Sequence, residues 1–286
     1  MIENEETRPL TTNHNQVQPT PERTKTTRSA WSWSIFACLV VYIACFAFMI
    51  APLQRRIGTP LMTLLPISKF LVVLGSWLPA NLHILPNAAD SYVSTNNLEF
   101  LSLVALAFVF YGIILLLLLR LPTGANYARI RSLTWIVVAL VGFMLIFTPA
   151  LLSHDLFVYA DYGHTLITHG ANLYFIPPAS VSHDPITLLD DWRASIAAYG
   201  PLWIVLSALV AVVGGDHPLR YIVEFRALGL FAHLVNAWLI LRILRASGRS
   251  PRTATLGMML YALNPLALIE SALGAHNDVV MVMFML

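Results

Sequence analysis

Charge is the first thing this chain lacks. Only 11% of its 286 residues are charged, 17 basic and 15 acidic, where a soluble domain carries roughly 25%. A chain folded in water must cover itself with polar side chains, so a soluble enzyme is excluded as the default. Hydrophobic residues make up 57% and the mean hydropathy is +0.70, which makes the bilayer the expected solvent. Cysteine is also scarce. Cys38 and Cys45 share one apolar run, build no disulfide framework or metal knuckle, and read as small packing or lipid-facing residues. The net charge of +2, with basic residues in scattered short groups, excludes nucleic acid as a partner. No cleavable signal peptide is expected either. Residues 1–30 are too polar for one, and run 31–53 is too long and has no small-residue cleavage site, so it reads as a retained first span.

What the chain has instead is a series of uncharged runs, at 100–119, 132–152, 194–215, 227–241 and 253–269, with a last one that begins at Val279 and meets the chain end. About twenty apolar residues cross the hydrocarbon core, so several of these span and the last is incomplete, as in a piece of a longer protein. Residues 1–30, rich in Thr, Asn, Gln, Pro and Glu, read as a disordered cytoplasmic tail. The expected organisation is that tail, N-terminal spans over 31–152, a polar loop with a juxtamembrane helix over 153–220, and further spans over 221–286 with an outward turn at 271–278. The fold class is an all-α polytopic membrane protein.

Two segments decide the topology. Segment 59–85 carries Lys69 and three prolines, and segment 194–215 contains Tyr199-Gly200-Pro201 and Gly214-Gly215, so either is a span or an interfacial helix. Cytoplasmic loops collect Lys and Arg. With both segments interfacial, eleven of the 17 basic residues fall inside and six outside. If only the second spans, the split is nine against eight, and if both span it is nine against seven with Lys69 in the bilayer. The first arrangement is favoured. It puts the loop after Leu152 and the turn 271–278 on one extracytoplasmic side.

That loop gathers His154, Asp155, Tyr159, Asp161, Tyr162, His164, His169, Asn172 and Tyr174 directly after a span. A carboxyl at the bilayer edge is partly desolvated, which raises its basicity and suits general-base work. Helical continuation would put Asp155 and Tyr159, four apart, on one face. A helix cap or a solvated loop carboxylate is the alternative for Asp155. No tight metal-ligand spacing appears among the loop residues, and neither a metal nor a cofactor is expected. Within the spans, His233 and Asn236 read as a helix-to-helix hydrogen-bonding pair, and Asn264-Pro265 as a mid-span break whose freed carbonyls need donors from neighbours.

The stretch 154–174 resembles the first large extracytoplasmic loop of the GT-C membrane glycosyltransferases, in particular the bacterial mannosyltransferases that use polyprenol-phosphate-mannose. Asp155, Tyr159, Gly163, Gly170, Asn172 and Tyr174 match its pattern, while His164 stands where the family usually has Arg and Leu173 where it has Pro. Tyr199-Gly200-Pro201-Leu202-Trp203 resembles the family's juxtamembrane helix, and Asn264-Pro265-Leu266, Glu270 and His276-Asn277-Asp278 match a third piece. Three motifs in one order, over about residues 130–286, are more specific than any alone. The resemblance implies a GT-C-like helix bundle and inverting transfer of a sugar, mannose first, from a polyprenyl-phosphate donor to an envelope glycan or glycolipid.

In that chemistry Asp155 is the base, and His154, His164, Arg220 and Arg226 are candidates to face the donor phosphate, the arginines because their planar fork fits phosphate oxygens. His276, Asn277 and Asp278 would meet sugar hydroxyls. Tyr159, Tyr174 and Tyr199, with Asn172, would line the sugar site, although Tyr also anchors at membrane interfaces and Arg snorkels there. A transporter, with the loop as an outer gate, is the reading from another class. Against it, the charged groups lie outside the spans and no internal repeat is found. An inactive accessory subunit is a third reading.

Overall fold

The structure is a computed structural model that describes residues 21–76, 95–121 and 125–286. Among them are eleven α-helices, two 3-10 turns and no strand. The helices are α1 (Pro21–Ile57), α2 (Pro60–Thr63), α3 (Pro66–Gly75), α4 (Thr95–Arg120), α5 (Tyr127–Ile146), α6 (Asp155–His169), α7 (Pro201–Gly214), α8 (Pro218–Ala246), α9 (Pro251–Ala262), α10 (Pro265–Ala272) and α11 (Asp278–Met285). Prolines 60, 66, 201, 218, 251 and 265 all sit in the first turn, where the missing N–H costs no intrahelical bond.

Four stretches are long and apolar enough to cross a membrane: Trp33–Arg55, Asn97–Arg120, Tyr127–Ile146 and Pro218–Ala246. Their outward faces carry Leu101, Val109, Leu116, Ile136, Leu140, Phe231 and Trp238, as lipid contact requires. α9 and α10 are each too short to cross, but they follow one another through the bundle. At the start of α9, Thr255 meets Arg131 of early α5 at 3.1 Å, and after the end of α10, Leu273 meets Arg226 near the opposite end.

The break between α9 and α10 is closed by polar groups from elsewhere. Asn264 Oδ1 accepts from the N–H groups of Leu266 and Ala267. Tyr42 donates to the Leu263 carbonyl at 2.6 Å, Tyr111 to that of Leu260 at 2.7 Å, and His233 Nε2 lies 3.1 Å from that of Ala262. Asn236 donates to Tyr261 and to the Val279 carbonyl. The expected interhelical roles of His233 and Asn236 match these contacts.

Arg226 is the pivot of the bundle. Its side chain is fully buried in α8, and its guanidinium donates to the carbonyls of Leu273 (3.0 Å), Ile146 (3.0 Å), Thr148 (2.8 Å) and Ala150. These are carbonyls at and just beyond the C-termini of α5 and α10, which no intrahelical N–H can reach and toward which the helix dipoles attract a cation.

Several elements differ from the sequence expectation. α1 begins at Pro21, so residues 21–30 continue the first span as helix; the rest of the polar tail lies outside the described residues. α3 runs back along α1, with Gly75 against Ala47 and Ala51, rather than lying flat at the interface, and residues 77–85 of segment 59–85 lie outside the described residues. The start of the polar loop is helical. α6 buries residues 156–165, and it packs on α7 so closely that a Cβ at residue 163 would collide with the Ser207 carbonyl. α7 has 14 residues, about 21 Å of helix and short of a crossing. It buries Trp203, Ile204, Ser207 and Ala211 against the bundle and leaves Leu202, Val205, Leu209 and Val212 bare, the pattern of a helix lying against lipid.

Removing the Arg226 donors would strand several buried carbonyls. Arg226→Met is expected to lower stability by about 3 kcal/mol or more, and Arg226→Lys to recover only part, because one ammonium cannot span four acceptors. Thermal unfolding of detergent-purified protein measures both.

Candidate active site at the start of α6

Arg226 fixes two chain segments at one end of the bundle. From Ala150 the chain runs four residues to His154 and into α6, and from Leu273 it turns through Ala275 to His276-Asn277-Asp278 and into α11. Asp155 opens α6, and its N–H is accepted by Ser153 Oγ at 3.1 Å. Its carboxylate is at the negative-charge-favouring end of the helix. Asp155 Oδ2 lies 3.6 Å from His276 Nδ1, and His276 Nε2 lies 3.2 Å from Glu270 Oε2. The side chains of Asp155 and Glu270 are 38% and 49% exposed, so a solute reaches them from outside.

One turn on, Tyr159 joins the pieces. Its ring is fully buried, edge-on to Tyr199 (5.1 Å) and Trp203 (4.9 Å), and its hydroxyl meets Tyr199 and the backbone N–H of Asn277. Burial raises the Tyr159 and Tyr199 phenols above their ordinary range, with Asp155 adding to the rise in both and Asp278 also in Tyr199. The three motif segments, at 155–159, 199–203 and 276–278, therefore meet at one place.

The other predicted residues make different contacts. His154 Nδ1 pairs with Asp191 at 2.8 Å, both exposed. His164 is buried, with Nε2 2.9 Å from Asp184, 3.8 Å from the exposed Asp216, and Nδ1 3.3 Å from the Tyr221 hydroxyl. At this position the His ties α6 to loop and α8. Burial alone would raise Asp184, but the Thr187 and Ile186 N–H groups, the Ser182 hydroxyl and His164 together hold it below its ordinary value. Asn172 folds its own turn, accepting from the Tyr174 N–H at 3.2 Å, and the Tyr174 hydroxyl donates to the Tyr199 carbonyl at 2.8 Å. Leu173 is buried, and its carbonyl accepts from Ala197. Arg220 is exposed on the first turn of α8. Arg226, expected to face a phosphate, turns its guanidinium to backbone instead. Among the described residues no group of three or more His, Cys, Asp or Glu is arranged to hold a metal ion.

Three acidic groups stand out that sequence reasoning did not single out as site residues. Glu270, noted only as part of a motif, faces His276. Asp161 and Asp190 form a fully buried carboxyl pair 29 residues apart in sequence, with Asp161 Oδ1 accepting from Thr165 (3.0 Å) and Thr187 (2.6 Å). No local spacing announces such a pair.

Comparison with known proteins fits this geometry. The family model for the N-terminal domain of alpha-(1->6)-mannopyranosyltransferase matches residues 66–286. The chain belongs to this family. Alpha-(1->6)-mannopyranosyltransferase A of Corynebacterium glutamicum is 29% identical over 140 residues, 48% of this chain and 28% of the relative. The protein of the same name from Mycobacterium tuberculosis is 29% identical over 142 residues, 48% of this chain and 26% of the relative. The chain thus spans about a quarter of the length of these curated relatives. No solved structure matches it. The family is one of GT-C-like membrane mannosyltransferases, in keeping with the all-α, multi-span architecture and the three motifs.

Burial pushes the Asp161 carboxyl up to about 7, Thr187 opposes the rise, and Asp190 adds to it; Asp190 is raised as well, by burial first. An unfolded Asp releases its proton near pH 4. Between about 4 and about 7 the folded state therefore binds the extra proton, and stability falls as pH rises through that window. Asp161→Asn cannot ionise and keeps an acceptor for the two hydroxyls. It should flatten the slope and unfold at a higher temperature than the parent at about pH 8, by an amount on the order of 1 kcal/mol or more. A thermal unfolding series across pH measures it.

Proposed function

We propose that this protein transfers mannose from a polyprenyl-phosphate donor, with inversion, to a hydroxyl of an envelope glycan or glycolipid. The site faces the extracytoplasmic side of the bacterial plasma membrane, and the N-terminus is cytoplasmic. The observation that carries this reading is the meeting of Asp155, Tyr159, Tyr199 and His276-Asn277 at one end of the bundle. Its charge layout agrees. Arg120, Arg129, Arg131, Arg242, Arg245, Arg249 and Arg252 lie at the other end, where α4 and α8 finish and α5 and α9 begin, as the excess of basic residues in cytoplasmic loops predicts.

The chemistry follows from that sidedness. Nucleotide sugars are cytoplasmic, so an outward-facing transferase needs a sugar carried through the bilayer on a lipid. Phosphate leaves without protonation, so one base suffices, unlike the two carboxyl groups of glycoside hydrolysis. Asp155 takes the acceptor hydroxyl proton as that oxygen attacks the anomeric carbon. Arg220 and His154 remain exposed to offset charge on the leaving phosphate, while Arg226 and His164 are engaged within the fold. Asn277 and Asp278 bond sugar hydroxyls. Tyr174 and Tyr199 form the wall of the sugar site, shaped by Asn172, and Tyr159 braces it from below.

Transfer from labelled polyprenyl-phosphate-mannose in membranes containing the protein should fall about 10²- to 10⁴-fold in Asp155→Asn, with unfolding temperature retained. Undiminished transfer would remove Asp155 from the role. Sidedness has a separate check. A membrane-impermeant thiol reagent applied to intact cells should label His183→Cys and spare Arg249→Cys, both exposed positions; the reverse pattern would overturn the lipid-donor argument.

A further inference from the structure

The turn between α10 and α11 is built around one imidazole. Ala275 holds φ +57, a left-handed conformation that an L residue with a Cβ rarely adopts. Gly274 leaves room for the ring. A Cβ there would sit 2.7 Å from His276 Cδ2. The His276 N–H donates back to the Glu270 carbonyl at 3.2 Å, which returns the side chain over the end of α10. The result is an imidazole with one carboxylate at each nitrogen, Glu270 Oε2 at 3.2 Å from Nε2 and Asp155 Oδ2 at 3.6 Å from Nδ1.

A neutral imidazole has one N–H. With that N–H on Nε2, toward Glu270, the lone pair of Nδ1 faces the carboxyl that receives the acceptor's proton. We propose that His276, held by Glu270, is the positioning and proton-relay residue that takes this proton from Asp155. The proposal rests on Asp155 being the base. In the step, the acceptor O–H bond breaks, its oxygen bonds the anomeric carbon, and the carbon–oxygen bond to phosphate breaks with its electron pair leaving on the polyprenyl phosphate. The proton passes to Asp155 and from there to His276 Nδ1, and the imidazolium stands between two carboxylates until it releases the proton to water. The 3.6 Å gap is longer than a hydrogen bond and has to close by about half an ångström, as catalytic contacts do when substrate tightens them. The other titratable groups that face this pair are Tyr159 of α6 and Tyr199 of the loop before α7, both beside Asp155, and Asp278 of α11, beside Tyr199.

A sugar-binding His276 and a relaying His276 differ in what its loss does. Transfer is measured in membranes containing the protein, with labelled polyprenyl-phosphate-mannose, for Asp155→Asn, His276→Ala, His276→Gln and Glu270→Gln. A relay predicts that His276→Ala and His276→Gln lower kcat about 100-fold with donor KM changed less than about twofold, and that Glu270→Gln lowers kcat about tenfold. Because the His276 side chain is 28% exposed, added imidazole should restore part of the activity of His276→Ala, in proportion to the unprotonated fraction, and none of that of Asp155→Asn. Loss confined to KM, or His276→Ala unaffected while Asp155→Asn is inactive, overturns the relay alone. Full activity of Asp155→Asn overturns the base itself. Equal unfolding temperatures for Glu270→Gln and the parent separate a chemical loss from a folding one.

Discussion

A single guanidinium answers a problem that the membrane imposes on every helix end. The last carbonyls of α5 and α10 finish inside a bundle surrounded by lipid, without water to receive them. Among the described residues no carboxylate pairs with Arg226. Four backbone carbonyls take its charge instead, from residues 146, 148, 150 and 273. An isolated buried charge is costly, and only a full set of acceptors offsets that cost. Conversely, the guanidinium serves four carbonyls at once, of which that of Thr148 also accepts from the Ala150 N–H. The arrangement therefore holds α5, α8 and α10 in a single register, and two of the three chain segments that reach the candidate site start from it.

The same logic recurs one layer deeper, with neutral groups. Where Pro265 interrupts the α9–α10 crossing, the free carbonyls are met by Tyr42 of α1, Tyr111 of α4 and His233 of α8. Each donor comes from a different helix. A break that would be a defect in an isolated span becomes a junction that pins three neighbours to the fourth. It also lets α10 end early, which leaves Glu270 and the Ala275 turn at the level of α6 rather than beyond it.

Much of this could be read from the residues in order. Apolar runs mark the crossings, and the four-residue spacing of Asp155 and Tyr159 puts both on one face once the chain continues as helix. The polar pair His233 and Asn236 and the break at Asn264-Pro265 also behave as hydropathy and proline chemistry dictate. Arg226 was another matter. Seen in sequence it is an arginine near the outer end of a span, equally suited to a phosphate, a headgroup or a backbone. Its acceptors lie 47 to 80 residues away and are carbonyls, which every residue has, so nothing in the pattern marks them. The Asp161–Asp190 pair is hidden for the same reason, since its members are adjacent only after the loop returns. The full extent of α6 is hidden because its buried residues 156–165 run all the way round the helix, Tyr159, Asp161, Tyr162, Gly163 and His164 among them, rather than along one apolar stripe.

α6 shows how one short helix separates two uses of the same side chain. Asp155 opens it and Asp161 lies six residues on, less than two turns. Asp161 is sealed under Thr187 and Thr165 beside Asp190, where ionisation of both partners is disfavoured. Nothing can reach it, so it can only hold the loop down. Asp155 has an imidazole at one side and an exposed face at the other, within reach of a solute from outside. Thr187 ties the loop to the middle of α6 through Asp161, while at the helix start the Asp155 side chain keeps 38% of its surface open.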